Sequence, residues 1–277
     1  MAQPEAAYAD SALCGVTGAV MLGLMPDIML VMFAGLAAGA LNAIGGGGTF
    51  VALPAMVAVG VPPVTANAST TVALVPGAVV SAWVYRKELA PVGKTSLAAL
   101  TSASVLGGGL GAGLLLALPA ATFDAAVPWL LAFGTLVLAL GRRLARALST
   151  ALGRPLDLGA RAVLLGQFLL AIYGGYFGGA VGILMLALWG IGLGLDAATS
   201  NPARITQVTA VYLTATALFL VASDVLNDPL PLATMLAGAV AGGFVGAHVA
   251  RRLPARLLRG IILASAGTMT TLYFLRG

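Results

Sequence analysis

Residues 28–59 read IMLVMFAGLAAGALNAIGGGGTFVALPAMVAV. A predominantly apolar stretch, Ile28 to Ile44, runs into Gly45-Gly46-Gly47-Gly48, and a second apolar arm, Thr49 to Val59, follows with Pro54 inside it. A bilayer crossing by a helix takes about 20 apolar residues, with a range of about 17 to 25. The first arm is long enough to cross; the second is not. A short apolar arm after a glycine break reads as a half-helix or a re-entrant segment, because backbone that leaves a helix within lipid must be satisfied by protein, water or ligand.

The pattern recurs. Ala162 to Phe177 is followed by Gly178 and Gly179, then Gly182 and a short arm, Ile183 to Leu193. At an offset of 134, Gly45 falls on Gly179, Gly48 on Gly182, Gly60 on Gly194, Thr65 on Thr199 and Asn67 on Asn201. At an offset of 135, Gly107-Gly108 falls on Gly242-Gly243, Gly111 on Gly246 and Leu118-Pro119 on Leu253-Pro254. Glycine matches are cheap in a chain with 37 glycines, whereas Thr, Asn and Leu-Pro matches in constant register point to duplication. Each short arm is followed by three longer stretches. These are Ala66–Trp83, Thr95–Leu118 and Phe123–Leu140 in one half, and Pro202–Val221, Pro231–Ala250 and Pro254–Phe274 in the other.

Composition agrees. Of 277 residues, 60% are hydrophobic and only 8% charged, against about 25% charged in soluble domains. The mean hydropathy is +1.03. In water such a surface would aggregate; in a bilayer it faces lipid. The net charge of +5 fits the basic bias of cytoplasmic loops and, with no basic soluble patch or arm, not nucleic-acid binding. Cys14 and His248 are single, which excludes a Cys- or His-cluster metal site and an intrachain disulfide. The sequence calls for no cofactor, and no Ser–His pair, zinc motif, nucleophile elbow or phosphate loop in a supporting context argues for an enzyme.

Charge orients the halves. Twelve of the 14 Lys and Arg residues sit in three connectors: Arg86, Lys87 and Lys94; Arg142, Arg143, Arg146, Arg154 and Arg161; and Arg251, Arg252, Arg256 and Arg259. These belong in the cytoplasm. The connector 222–229 carries Asp224 and Asp228 without a cation and belongs outside. Ala66–Trp83 then runs inward to Arg86, and its counterpart Pro202–Val221 runs outward to Asp224. The expected fold is an all-α polytopic membrane protein with two inverted-topology repeats, each a broken or re-entrant hairpin followed by three transmembrane helices. The expected divisions are an N-terminal segment 1–27, a first repeat 28–141, a basic cytoplasmic connector 142–161 and a second repeat 162–277. Met1 to Asp10 lacks the positive charge of a secretory signal, and Ser11 to Met25 reads equally as a span, a surface segment or a lead-in.

A half-helix that starts inside the bilayer presents free N–H groups and the positive end of its dipole, which suit an anion. The expected site is the meeting of the two hairpin tips near the bilayer midplane: Asn42, Gly45, Gly46, Gly47, Gly48 and Thr49 from one, and Tyr173, Gly178, Gly179 and Gly182 from the other. The bland alternative is that these glycines only let helices approach closely. Asn67 and Asn201 stand near the starts of the next helices, where they serve as caps or, with Thr70, face the substrate path. Arg204 lies in a first helical turn, where the dipole disfavours a cation. A bound anion would offset that; so would snorkelling to the surface or pairing with Asp196. The nine acidic residues all lie in termini, connectors or span ends. Cation pumping therefore has no buried carboxylate, and proton coupling would have to use His248, a tyrosine or the substrate's own protonation.

These motifs resemble those of the sulfite exporter TauE/SafE family, also called the toluene sulfonate uptake permeases. The likeness is carried by Leu41 to Gly48, Leu53-Pro54, Val61-Pro62-Pro63 and Ala66-Asn67-Ala68, then by Tyr173 to Gly178, Gly192 to Leu195, Asn201 to Arg204 and Ala250 to Pro254. One departure is Val181, between Gly179 and Gly182, where the family often has an Ala or Gly run. The resemblance implies a bacterial inner-membrane carrier for sulfite, sulfonates or related sulfur or carboxylate anions, working by alternating access. A passive anion channel or a non-transporting membrane partner subunit are the other classes such a scaffold allows.

Overall fold

The computed structural model describes residues 25–42, 47–152, 158–249, 260, 263–264, 267–268 and 270–271. Gly45, Gly46 and residues 1–24 lie outside them. The described residues form helices joined by short connectors: α1 Met25–Asn42, α2 Thr49–Ala58, α3 Pro63–Tyr85, α4 Leu97–Ala117, α5 Ala120–Leu152, α6 Ala160–Tyr176, α7 Val181–Leu193, α8 Asn201–Ala222 and α9 Pro229–Val249. The described residues from 260 to 271 are helical too. Among the described residues, α1, α3, α4, α8 and the Ala120–Val137 part of α5 are long and apolar enough to cross a membrane.

Their outer faces are apolar. Trp83 is 66% exposed and Val221 88% exposed, and Trp129, Leu106 and Phe244 also point outward. Only lipid makes such a surface favourable.

The short arms are true helices. Pro54 sits inside α2 rather than ending it. Both arms close on a left-handed glycine, Gly60 (φ +89°) and Gly194 (φ +69°), where a Cβ would be strained. Two extents differ from the hydropathy reading. First, α3 begins at Pro63, with Pro62 before it, because proline's fixed φ suits the first helical position. That puts Asn67 in the second turn, not at a cap. Second, α5 continues past its apolar portion to Leu152, 33 residues in all. At 1.5 Å per residue that is about 50 Å, well beyond a hydrocarbon core of about 30 Å. Arg142, Arg143 and Arg146 therefore lie on the same helix, not in a loop.

Glycine faces hold the bundle together. On α4, Gly107 lies against Phe168 and Ala171 of α6, and Gly108 against Val211 of α8. On α9, Gly238 and Gly242 lie against Met32, Gly35 and Leu36 of α1. Lipid tails give no hydrophobic drive for helix pairing, so close backbone approach and buried polar bonds must supply it. One such polar cluster joins α4, α6 and α8. Gln167 Nε2 donates to Ser104 Oγ at 2.9 Å, Ser104 Oγ donates to Gln207 Oε1 at 2.9 Å, and Gln207 Nε2 donates to Thr101 Oγ1 at 3.2 Å. Near the chain end, the hydroxyls of Thr135 and Thr270 share a hydrogen bond at 3.3 Å.

Candidate functional site

The two glycine breaks meet. Gly47 (φ +105°) precedes α2, and Gly178 (φ +82°) lies between α6 and α7. The Phe50 and Phe177 rings pack edge to face at 6.2 Å between centroids. A Cβ on Gly179 would strike the Phe177 ring at 2.6 Å and Phe50 at 3.2 Å. The Tyr212 hydroxyl of α8 donates to the Gly178 carbonyl at 3.0 Å and pairs with the Thr49 side chain. One tyrosine thus ties α8 to both breaks.

Beside this junction lies a cavity of about 30 Å³ lined by residues of both breaks and of α3 and α8: Asn42, Gly47, Gly178 and Gly182, then Ser81, Arg204, Thr209 and Tyr212. A water needs roughly 10–15 Å³ by this measure. The space holds two or three water-sized groups.

Arg204 defines its chemistry. The residue is only 6% exposed, so its guanidinium does not snorkel. Nε donates to Asn201 Oδ1 at 2.9 Å, which fixes the plane of the fork. Nη1 lies over Gly182, so close that a Cβ there would stand 2.8 Å from it. Gly182 is in the first turn of α7, where Ile183 N–H already bonds the Ala180 carbonyl at 3.0 Å and the N–H groups of Val181 and Gly182 are the ones that precede the helix's own bonding. The residue before α7, Ala180, also lines the cavity and holds a left-handed φ of +60°, which costs an L-residue about 1–2 kcal/mol. Strain of this kind gathers at functional sites.

Asp196 is engaged elsewhere: its Oδ2 accepts from the backbone N–H groups of Ala198 and Thr199 at 2.8 and 3.3 Å. The two asparagines do not cap. Neither α3 nor α8 has a side-chain cap, and the residue before α8 is Ser200. Asn201 instead anchors Arg204. Asn67, 1% exposed, donates Nδ2 to the Tyr176 carbonyl at 2.9 Å, while its Oδ1 and the Thr70 hydroxyl are buried without partners.

Of the residues expected from sequence, Asn42, Gly47, Gly178, Gly182 and Arg204 line the cavity. Thr49 and Asn201 touch it through Tyr212 and Arg204. Gly48 and Gly179 serve packing, against Ala38 and against the two phenylalanines. Tyr173 belongs to an aromatic cluster with Phe133 and Phe177, and Asn67 and Thr70 lie off the cavity. Sequence reading missed Ser81, Thr209 and Tyr212. For Tyr212 the signal was present: Arg204, Val208 and Tyr212 fall at i, i+4 and i+8, one face of α8.

Five helices long and apolar enough to cross a membrane, with apolar outer faces, define a multi-pass membrane protein, and among the described residues Arg204 is the charged one lining its cavity. The chain belongs to the sulfite exporter TauE/SafE family, whose model matches residues 31–272, a span that takes in both breaks and Arg204. That family comprises membrane transporters of sulfite-type anions. No curated protein and no solved structure matches the chain.

Proposed function

We propose that the protein is a secondary carrier of the bacterial inner membrane that moves a compact sulfite-like or carboxylate anion by alternating access, with the anion held at the two glycine breaks. One observation carries this reading: the buried Arg204 side chain and the N-terminus of α7 line one cavity. A cation facing the positive end of a helix is unfavourable. An anion between them makes both contacts favourable, and each N–H···O bond is then charge-assisted.

The carrier mechanism rests on two inverted repeats, 28–141 and 162–277, joined by 142–161. Beyond register and loop charge, the packing supports a two-fold relation. Gly107 meets Ala171, and Gly242 meets Leu36; the second pair is the first with both partners exchanged at the 135-residue offset. Thr135 bonds to Thr270, its own counterpart. With the basic end of α3 taken as cytoplasmic, Ser81 lies toward that side, about 6 Å along the helix from Tyr85.

The test is anion-dependent stabilisation of purified protein with sulfite, thiosulfate, methanesulfonate and acetate, since a ligand that binds only the folded state raises its melting temperature by mass action. A rise with at least one anion is expected; a folded protein indifferent to all four refutes the proposal. Reconstituted flux then separates mechanisms. A carrier saturates and shows counter-transport, a channel does neither, and a partner subunit gives no flux.

A further inference from the structure

We infer that the last turns of α3, Ala78 to Tyr85, are the gate of the cavity: they swing about Pro76-Gly77, and the Thr209 hydroxyl of α8 latches them closed. This rests on the carrier reading above and deepens it by naming the part that moves.

The two ends of α3 are held differently. From Ala66 to Leu74, eight of nine residues are buried; beyond Pro76 only Ala78 is. The rest of that end splits by face. Val79, Val80, Trp83 and Val84 are 40–66% exposed, an apolar surface for lipid. Ser81, Ala82 and Tyr85 are partly buried and follow Ala78 at i+3, i+4 and i+7, a single helical stripe. Ala78 and Ser81 of this stripe line the cavity. The one face that holds the end of α3 to the bundle is thus the face that covers the site.

The joint between the two ends is weak. Pro76 lies inside the helix. Proline has no N–H, so residue 76 makes no bond to the Val72 carbonyl, and its ring crowds that carbonyl. Sharp helix bends arise at such points. Gly77 follows, and nothing lies within 4 Å of where its Cβ would stand. Close packing accounts for Gly107 and Gly242, but not for this glycine. Glycine is also a poor helix former, which suits a hinge. At the 134-residue register α8 carries Ala210 and Val211 instead, both buried. The α8 side of the cavity is therefore the fixed wall.

The latch sits one residue past the hinge. Thr209 Oγ1 donates to the Ile205 carbonyl of its own helix at 2.8 Å and to the Ala78 carbonyl at 3.0 Å. A hydroxyl has one proton, so the two carbonyls share it. When α3 moves out, the proton stays on Ile205 and no donor is stranded. Ser81 Oγ donates to the Gly77 carbonyl at 2.8 Å, within α3, so this bond does not tie the gate to α8.

The experiment places a single thiol on the gate, Ser81→Cys in a Cys14→Ala background of the purified full chain. A water-soluble maleimide is too large for a closed cavity of about 30 Å³, so its rate of reaction reads the open fraction. Thr209→Val keeps the side chain's shape and removes the latch; labelling should quicken about fivefold, the strength of one net hydrogen bond. The Thr206 hydroxyl bonds only along its own helix, to the Pro202 carbonyl, so Thr206→Val should leave the rate within about twofold. Pro76→Ala restores the bond to Val72 and should slow labelling about fivefold. In proteoliposomes it should lower sulfite turnover about fivefold while the Kd stays within about twofold, a split that marks gating rather than binding. Labelling unchanged in both Thr209→Val and Pro76→Ala, in protein whose thermal melt shows it folded, overturns the gate and leaves the anion site standing. So does a Pro76→Ala variant that loses affinity instead of turnover. A melt that none of the four anions shifts overturns the anion site, whatever the labelling shows.

Discussion

Removing the guanidinium of Arg204 is the most direct perturbation of the site. The side chain is 6% exposed, and its fork is held by Asn201 against the opening of α7. A hydrogen bond to a charged group contributes about 1.5–3 kcal/mol, and truncating one member of a buried, hydrogen-bonded charge pair costs about 2–5 kcal/mol. Taking about 3 kcal/mol, Arg204→Ala should raise the Kd for sulfite by about two orders of magnitude. Arg204→Lys keeps the charge but loses the Nε bond and the planar fork, so a rise of about tenfold is expected. The apo protein should melt no lower, because the substitution also removes a cation from the positive end of α7. Titration calorimetry in detergent measures the first quantity and a ligand-free thermal melt the second. A Kd within threefold of wild type for Arg204→Ala would refute the reasoning, since no other formal charge among the described lining residues could hold the anion.

Gly182→Ala places a methyl 2.8 Å from Arg204 Nη1 and 3.3 Å from its Cδ; the flexible side chain shifts, so sulfite Kd should rise about tenfold with little change in melting temperature. Ala180→Gly relieves the +60° φ and should stabilise the fold by about 1 kcal/mol, read as a higher melting temperature; a lower one would contradict the backbone geometry. Gly107→Val drives a side chain toward the Phe168 carbonyl, 2.5 Å from the Cβ position, and should destabilise by about 1–3 kcal/mol, seen in the same melt. In a Cys14→Ala background, Ser223→Cys should label from outside and Thr150→Cys from the cytoplasm; labelling from the same side would end the inverted topology.

Much of the fold was legible because lipid enforces a simple rule: long apolar runs cross, short ones must be supported. The glycine runs marked both breaks, and loop arginines marked the sides. Helix ends were less legible. Pro63 starts α3 before the apolar run begins, and α5 outlasts its own, since hydropathy records what touches lipid and not where hydrogen bonding stops. At the site, Gly47, Gly178, Gly182 and Arg204 were readable as breaks and as a misplaced cation. Ser81 and Thr209 were not, because a lone hydroxyl in a span looks the same whether it bonds its own helix or faces a cavity. Tyr173, expected as a donor from its position beside a break, packs its ring among phenylalanines and buries its hydroxyl without a hydrogen-bond partner.

The 134-residue register sets Asn67 and Thr70 on Asn201 and Arg204, yet the two pairs behave differently. One has a guanidinium on its asparagine, the other two unpartnered oxygens. Taking the repeat as proposed, a homodimer of half-length chains could not do this. Any arginine placed at that position would appear twice, and two cations would confront each other across the dyad. Fusing the halves into one chain frees each copy to be edited alone. The site can then carry one arginine where a symmetric pair of identical subunits would carry two.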